Sequence, residues 1–146
     1  MKKLTSLLII ALLLLSSCGS VPLTGRKQIL LVSDQEVLAS SLTQYSDYMK
    51  SAPVSTNAKG KAMVTRVGKK IAAATEQYLK SNGMEAEVRN FAWEFNLVKD
   101  NQVNAFCMPG GKIVVYEGLL KLVSSDDELA VVVGHEVAHA VAKHSN

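Results

Sequence analysis

The feature that most constrains this chain is a pair of histidines four residues apart near its end. The segment reads His135-Glu136-Val137-Ala138-His139. Residues at this spacing share one face of a helix, so both imidazoles can reach one zinc ion if the segment is helical. Glu136 can then take a proton from a water that the zinc ion makes more acidic. The spacing therefore predicts His135 and His139 as metal ligands and Glu136 as the catalytic base.

The residues around this motif predict the helix that it requires. Ser125 and Glu128 fit a capping box at the start of a helix that runs to about His144. Apolar side chains occupy nearly every face of that helix, which predicts that it is buried and that its polar groups have partners. A metal ion is one such partner. A buried helix whose histidines bond to backbone groups is the alternative.

The rest of the pattern predicts an α+β domain. Three- and four-residue periodicity and alternating runs predict helices over 34–50, 57–80 and 119–123 and strands over 91–98, 103–107 and 112–116. This order favours helices packed on a small antiparallel sheet, with the histidine helix at the C-terminal end.

The first residues predict an export signal. A basic start at Lys2 and Lys3 precedes nine uncharged residues, Leu7 to Leu15. That run is too short to span a bilayer, which takes roughly 20 apolar residues. Leu15-Ser16-Ser17-Cys18 resembles a bacterial lipobox, which implies a signal peptide over 1–17, lipidation of Cys18 and attachment to a membrane through the lipid. An ordinary secretory signal is the alternative. Residues 18–32 then form a lipidated anchor and extended leader, and residues 33–146 form the N-terminal, incomplete part of a zinc metallopeptidase domain.

Charge and cysteine content exclude two classes of protein. Without Lys2 and Lys3 the chain has 14 basic and 13 acidic side chains, a net charge of +1, which argues against nucleic acid as a partner. The only cysteine besides Cys18 is Cys107, so a monomer has no disulfide framework. Cys107 is interpreted as a small buried residue.

Several segments together resemble one family. The stretch 127–139 looks like the active-site helix of the CAAX prenyl endopeptidase and HtpX-like zinc metallopeptidases. Residues 103–111, with Asn104-Ala105-Phe106 and Pro109-Gly110-Gly111, and residues 116–120 are similar to other segments of that family. Residues 21–28 resemble the leader of its bacterial lipoprotein branch.

The resemblance implies a site and a missing part. It implies zinc on His135 and His139, and it places Asn104, Ala105 and Phe106 beside the cleft, where a strand edge could pair with an extended substrate. A turn cap for Asn104 and a core position for Phe106 are the alternatives. The family's third ligand is a glutamate well beyond the motif, whereas seven residues follow His139 here. Glu117 and Glu128 are the nearest acids, and we expect an N-terminal fragment that is inactive alone.

These inferences predict a membrane-anchored zinc metalloendopeptidase that hydrolyses cell-envelope proteins in protein quality control. The lipobox places it at the periplasmic face of a bacterial membrane, with the outer membrane favoured. The alternative is a non-catalytic envelope lipoprotein that acts as a chaperone or assembly factor.

Overall fold

The computed structural model describes residues 18–20, 27–29 and 33–143, so the predicted signal peptide and most of the leader lie outside the described residues. Strands β1 (Cys18–Ser20) and β2 (Lys27–Ile29) pair antiparallel. The remaining elements are helices α1 (Asp34–Ser51), α2 (Ala58–Ser81) and α3 (Glu85–Val88), strands β3 (Glu94–Val98), β4 (Ala105–Met108) and β5 (Lys112–Tyr116), and helices α4 (Glu117–Leu120) and α5 (Asp126–Val141). None of the helices within these described ranges is both long and apolar enough to cross a membrane.

The sheet that supports the site is mixed. Its order is β3-β5-β4, with β5 parallel to β3 and antiparallel to β4. The α+β class is confirmed, but the prediction of a wholly antiparallel sheet is wrong, because the last strand inserts between the two earlier ones. This central position explains why residues 112–115 of β5 are all buried.

The two faces of the sheet carry two hydrophobic cores. Alternate residues such as Leu97, Ala105 and Ile113 belong to the larger core, which also contains side chains of α2 and α5. Their neighbours Val98 and Val114 belong to a smaller core on the other face with Tyr45 of α1. The histidine helix therefore lies on the face of the sheet opposite α1.

Helix α1 begins as its sequence predicts. The Ser33 hydroxyl accepts a hydrogen bond from the Glu36 backbone N–H (3.3 Å), and the Ser33 backbone N–H donates to the Glu36 carboxylate (2.9 Å). The sequence Ser33-Asp34-Gln35-Glu36 has the pattern that predicts a capping box, and this reciprocal pair confirms it.

Helix α5 is buried along one stripe and open on the other side. Leu129, Val133, Val137 and Val141 recur every four residues and are at most 6% exposed, whereas Val131 is 73% exposed. The prediction that the helix is buried on nearly every side is therefore wrong for the described part of the chain. The helix also ends at Val141, three residues earlier than predicted.

Candidate metal centre

The two histidines of α5 project side by side from its exposed face. Their Nε2 atoms are 3.0 Å apart, and their rings lie nearly perpendicular with centroids 4.4 Å apart. Two nitrogens that bind one tetrahedral zinc at 2.0–2.1 Å lie about 3.3 Å from each other. The observed contact is a hydrogen bond between the two rings and is slightly shorter than this value. A small side-chain adjustment would therefore let both nitrogens bind one zinc ion without a change of helix geometry.

Glu136 lies on the side of α5 that is close to β4. It is half-buried, and its negative charge acts on the thiol of Cys107 in β4. Burial, with a smaller contribution from the Glu136 charge, raises the pKa of Cys107 to about 12. The thiol therefore stays protonated at neutral pH, and Cys107 packs against the larger core as a small apolar residue.

The three predicted substrate residues point in different directions. Asn104 is exposed, and its backbone carbonyl accepts a hydrogen bond from Tyr116 N–H (3.0 Å). Ala105 is buried in the larger core. The Phe106 ring packs edge-on against Tyr48 (5.6 Å between centroids) and against Tyr116, on the face of the sheet away from α5.

The backbone of β4, rather than the side chains of this segment, is the part that could contact a substrate near the histidines. Strand β4 packs against α5 and is the last strand in the sheet order, so its outer edge has no strand partner among the described residues. An open edge of this kind can pair with an extended peptide. Substrate contact by Asn104, Ala105 and Phe106 stays a prediction. For Phe106 the predicted contact is made by the backbone, because its ring lies on the face of the sheet away from α5.

The two glutamates considered as a third ligand, Glu117 and Glu128, have other partners. The Glu128 carboxylate accepts hydrogen bonds from the backbone N–H (2.7 Å) and hydroxyl (3.0 Å) of Ser124, and Glu128 N–H donates to the Ser125 hydroxyl (3.2 Å). Glu117 accepts a hydrogen bond from the Ser55 hydroxyl. Within the described ranges, no group of three histidine, cysteine or acidic side chains could hold a metal ion.

Sequence reasoning missed a buried cation on the other face of the sheet. Lys112 is 5% exposed, and its ammonium donates to the Glu94 carboxylate (2.6 Å) and to the Ala92 carbonyl. The Tyr45 hydroxyl donates to the same carboxylate (2.8 Å). The only signal in the sequence is a lysine that opens an otherwise apolar strand, and this group ties α1 to the sheet.

Two imidazoles and a glutamate on one helix, beside an open strand edge, define a candidate centre of the HExxH metallopeptidase class. Residues 62–146, more than half of the chain, match Peptidase family M48, and the chain belongs to this family.

Named relatives agree with this family. The chain is 49% identical over 65 residues to the mitochondrial metalloendopeptidase OMA1 of Arabidopsis thaliana, which covers 44% of this chain and 13% of that protein. It is 35% identical over 111 residues to the OMA1 of Schizosaccharomyces pombe (76% and 28%). It is 31% identical over 72 residues to the β-barrel assembly-enhancing protease of Escherichia coli (47% and 15%). The chain thus spans between about an eighth and a quarter of the length of these relatives.

The comparisons correct the predicted location. Relatives from plant, yeast and human are mitochondrial metalloendopeptidases. The expectation that the protein lies at the periplasmic face of a bacterial membrane, with the outer membrane favoured, is therefore wrong. A lipobox-like tetrapeptide is a short pattern of small and apolar residues, and it cannot by itself establish a compartment.

Proposed function

We propose that the intact protein is a zinc metalloendopeptidase in which His135 and His139 are two of the zinc ligands. The observation that carries this proposal is the 3.0 Å separation of their Nε2 atoms on the exposed face of α5. Zinc, when bound, polarises a carbonyl group and acidifies a water molecule. A catalytic zinc takes three protein ligands and keeps one open position. In this proposal a carboxylate outside the described residues supplies the third ligand.

Glu136 acts as the general base and then as the general acid. It takes a proton from water while the water oxygen bonds to the peptide carbonyl carbon. It gives that proton to the departing amine when the carbon–nitrogen bond breaks, so the proton count balances. Its place on the side of α5 near β4 supports this role, because a substrate paired with β4 would lie close to its carboxylate.

Recognition through a strand edge favours extended polypeptide as the substrate. Backbone hydrogen bonds from β4 would recognise the main chain of the peptide and would not select a particular side chain. Folded proteins rarely present an unpaired extended segment, whereas damaged or misassembled proteins do. The proposed substrates are therefore proteins with exposed non-native segments, and the proposed role is protein quality control.

The decisive experiment compares two glutamate-to-glutamine substitutions on the same helix. In the intact protein, Glu136→Gln should lower the cleavage rate of an unfolded protein by about 10²–10⁴-fold while zinc content stays unchanged. Glu128→Gln is the matched control. Because Glu128 only caps the start of α5, this substitution should leave the cleavage rate unchanged. His139→Ala should lose zinc. Full activity of the Glu136→Gln protein would refute the assigned mechanism.

The anchor and the branch of the family are separate proposals. Acylation of Cys18, after removal of residues 1–17, would attach the protein to a membrane, with 18–32 as the leader and the catalytic domain starting at residue 33. These proposals, and the likeness to the CAAX prenyl endopeptidase and HtpX-like branch, rest on the sequence. Mass spectrometry of the purified protein tests the proposed acylation. A protein that retains residues 1–17 and carries an unmodified Cys18 would refute it.

A further inference from the structure

The histidine helix ends in a partly buried ionic cluster that the proposed mechanism does not use, in which the Asp34 and Glu87 side chains are 41% and 29% exposed. Lys143 follows α5 with a φ of +53°, a left-handed conformation that is uncommon for a residue with a side chain. Its ammonium lies 2.6 Å from Asp34 Oδ2 and 3.3 Å from Glu87 Oε1. The lysine side chain is only 18% exposed.

This cluster joins three elements that are far apart in the chain. Asp34 is the first residue of α1, Glu87 belongs to α3, and Lys143 lies just beyond the last turn of α5. Burial lowers the pKa of Lys143, but the bonds to Asp34 and Glu87 outweigh it and keep the pKa above its usual value. The ammonium is therefore charged at neutral pH, and both ion pairs are formed.

The cluster is poorly placed to tolerate loss of the lysine. Oδ1 of Asp34 is buried and has no hydrogen-bond partner within the described part of the chain. A cavity of about 60 Å³ lies beside it, lined also by Leu38, Phe91 and Val141. Without the ammonium, two neighbouring carboxylates would lose their common counter-charge at this partly enclosed place, and the contact would open.

His139 is the proposed zinc ligand that lies nearer in the chain to this contact. It lies in the last turn of α5, and the ends of helices fray first. His135 lies one turn earlier, where hydrogen bonds continue on both sides. A small rotation of the last turn therefore changes the distance between the two Nε2 atoms, which sets their fit to a metal.

We propose that Lys143, Asp34 and Glu87 form a terminal clamp that positions His139. The clamp holds the last turn of α5 against α1 and α3, and Lys143 is its positioning residue. This proposal rests on the proposed function for its purpose, but the order of the last turn can be measured without metal.

The test uses a substitution that changes charge and not backbone preference. Lys143→Met keeps a long unbranched side chain, so the left-handed backbone at this position should be about equally strained with methionine and with lysine. Lys143→Arg keeps the charge and should rescue. The control is Arg66→Met. Arg66 lies on α2 and pairs with Asp126 at the N-terminal end of α5 (two contacts of 2.6 Å), and its side chain is exposed.

Two readouts separate positioning from general stability. In the metal-free protein, amide hydrogen exchange over residues 137–142 should be about tenfold faster in Lys143→Met, because the turn opens locally, while exchange in α2 and β5 stays unchanged. Zinc affinity of the intact protein, measured by competition with a chelating dye, should fall about tenfold, as is usual for residues that orient a ligand. Lys143→Arg should restore most of both, and Arg66→Met should change neither.

The outcomes are distinct. Unchanged exchange over residues 137–142 in Lys143→Met overturns the clamp, whether or not zinc binds. Faster exchange throughout the protein, with a matching fall in the unfolding midpoint, also overturns it, because the residue is then merely structural. Failure of the wild-type protein to bind zinc counts against the proposed function alone, since the exchange measurement contains no metal.

Discussion

The two valines Val131 and Val133 provide a direct test of how α5 is packed. They are two residues apart on the same helix, and their exposures are 73% and 1%. Substitution of each by alanine removes the same two methyl groups and improves the intrinsic helix propensity equally. Any difference between the two variants therefore measures burial at the two positions.

The expected magnitudes follow from this difference. At Val133, two buried carbons contribute about 1.6 kcal/mol, and the cavity left behind adds to this loss. Alanine regains about 0.5 kcal/mol through its helix propensity. Val133→Ala should therefore lower the free energy of unfolding by about 1–2 kcal/mol. At Val131 only about a quarter of the side chain is covered, so the propensity gain offsets the loss and the change is near zero.

Urea unfolding followed by circular dichroism measures both variants against the wild type. A lower midpoint with an unchanged slope in Val133→Ala reports a loss of stability. An equal loss in Val131→Ala would refute the reasoning, because it would show that the exposed flank of α5 is covered in solution. Measurement at two protein concentrations then shows whether a second copy provides that cover.

Two further predictions concern a glycine pair and a carboxylate. Gly134→Ala should raise stability by about 0.5–1 kcal/mol in thermal unfolding, because a Cβ there meets only Ile71 at 3.7 Å. Gly68→Ala should instead lower stability by about 1–3 kcal/mol, because its Cβ would overlap the Phe95 ring. The hydrogen bond from Lys112 holds the pKa of Glu94 below its usual value, so Glu94 contributes stability above about pH 4.5 that is lost as the pH falls through the folded-state pKa. In urea unfolding at pH 7 and pH 3, Glu94→Gln should therefore show a smaller acid-induced loss than the wild type, by up to about 1 kcal/mol because half of the Glu94 side chain is exposed. An equal loss in both proteins would contradict the assignment.

The sequence predicted best those features that depend on neighbours in the chain. The capping box of Ser33 and Glu36, the shared core of the alternate residues from Phe91 to Leu97 and the bounds of β5 all follow from short-range patterns, and the structure confirms them. The strand predicted over 91–98, however, begins only at Glu94. The pairing of His135 with His139 is local in the same sense, because one helical turn brings them together.

Features set by distant contacts could not be predicted in this way. The insertion of β5 between β3 and β4 leaves no mark on any single strand, since a central strand and an edge strand can share one apolar pattern. The contact between Lys143 and Asp34 joins residues 109 positions apart. A lysine just beyond a helix end indicates favourable interaction with the helix dipole, and nothing nearby in the sequence indicates a carboxylate partner.

Small side chains on β4 connect the fold to the chemistry of the site. The residues of β4 that face α5 are Ala105 and Cys107, whereas those on the other face are the larger Phe106 and Met108. A helix can approach an edge strand closely only where the side chains between them are small. This alternation therefore places the large side chains of β4 on the face that packs against α1. The small side chains on the other face bring α5, which carries Glu136, close to the open edge. Because that edge is where an extended peptide would pair, the side-chain sizes on a single strand align the proposed base with the proposed substrate backbone.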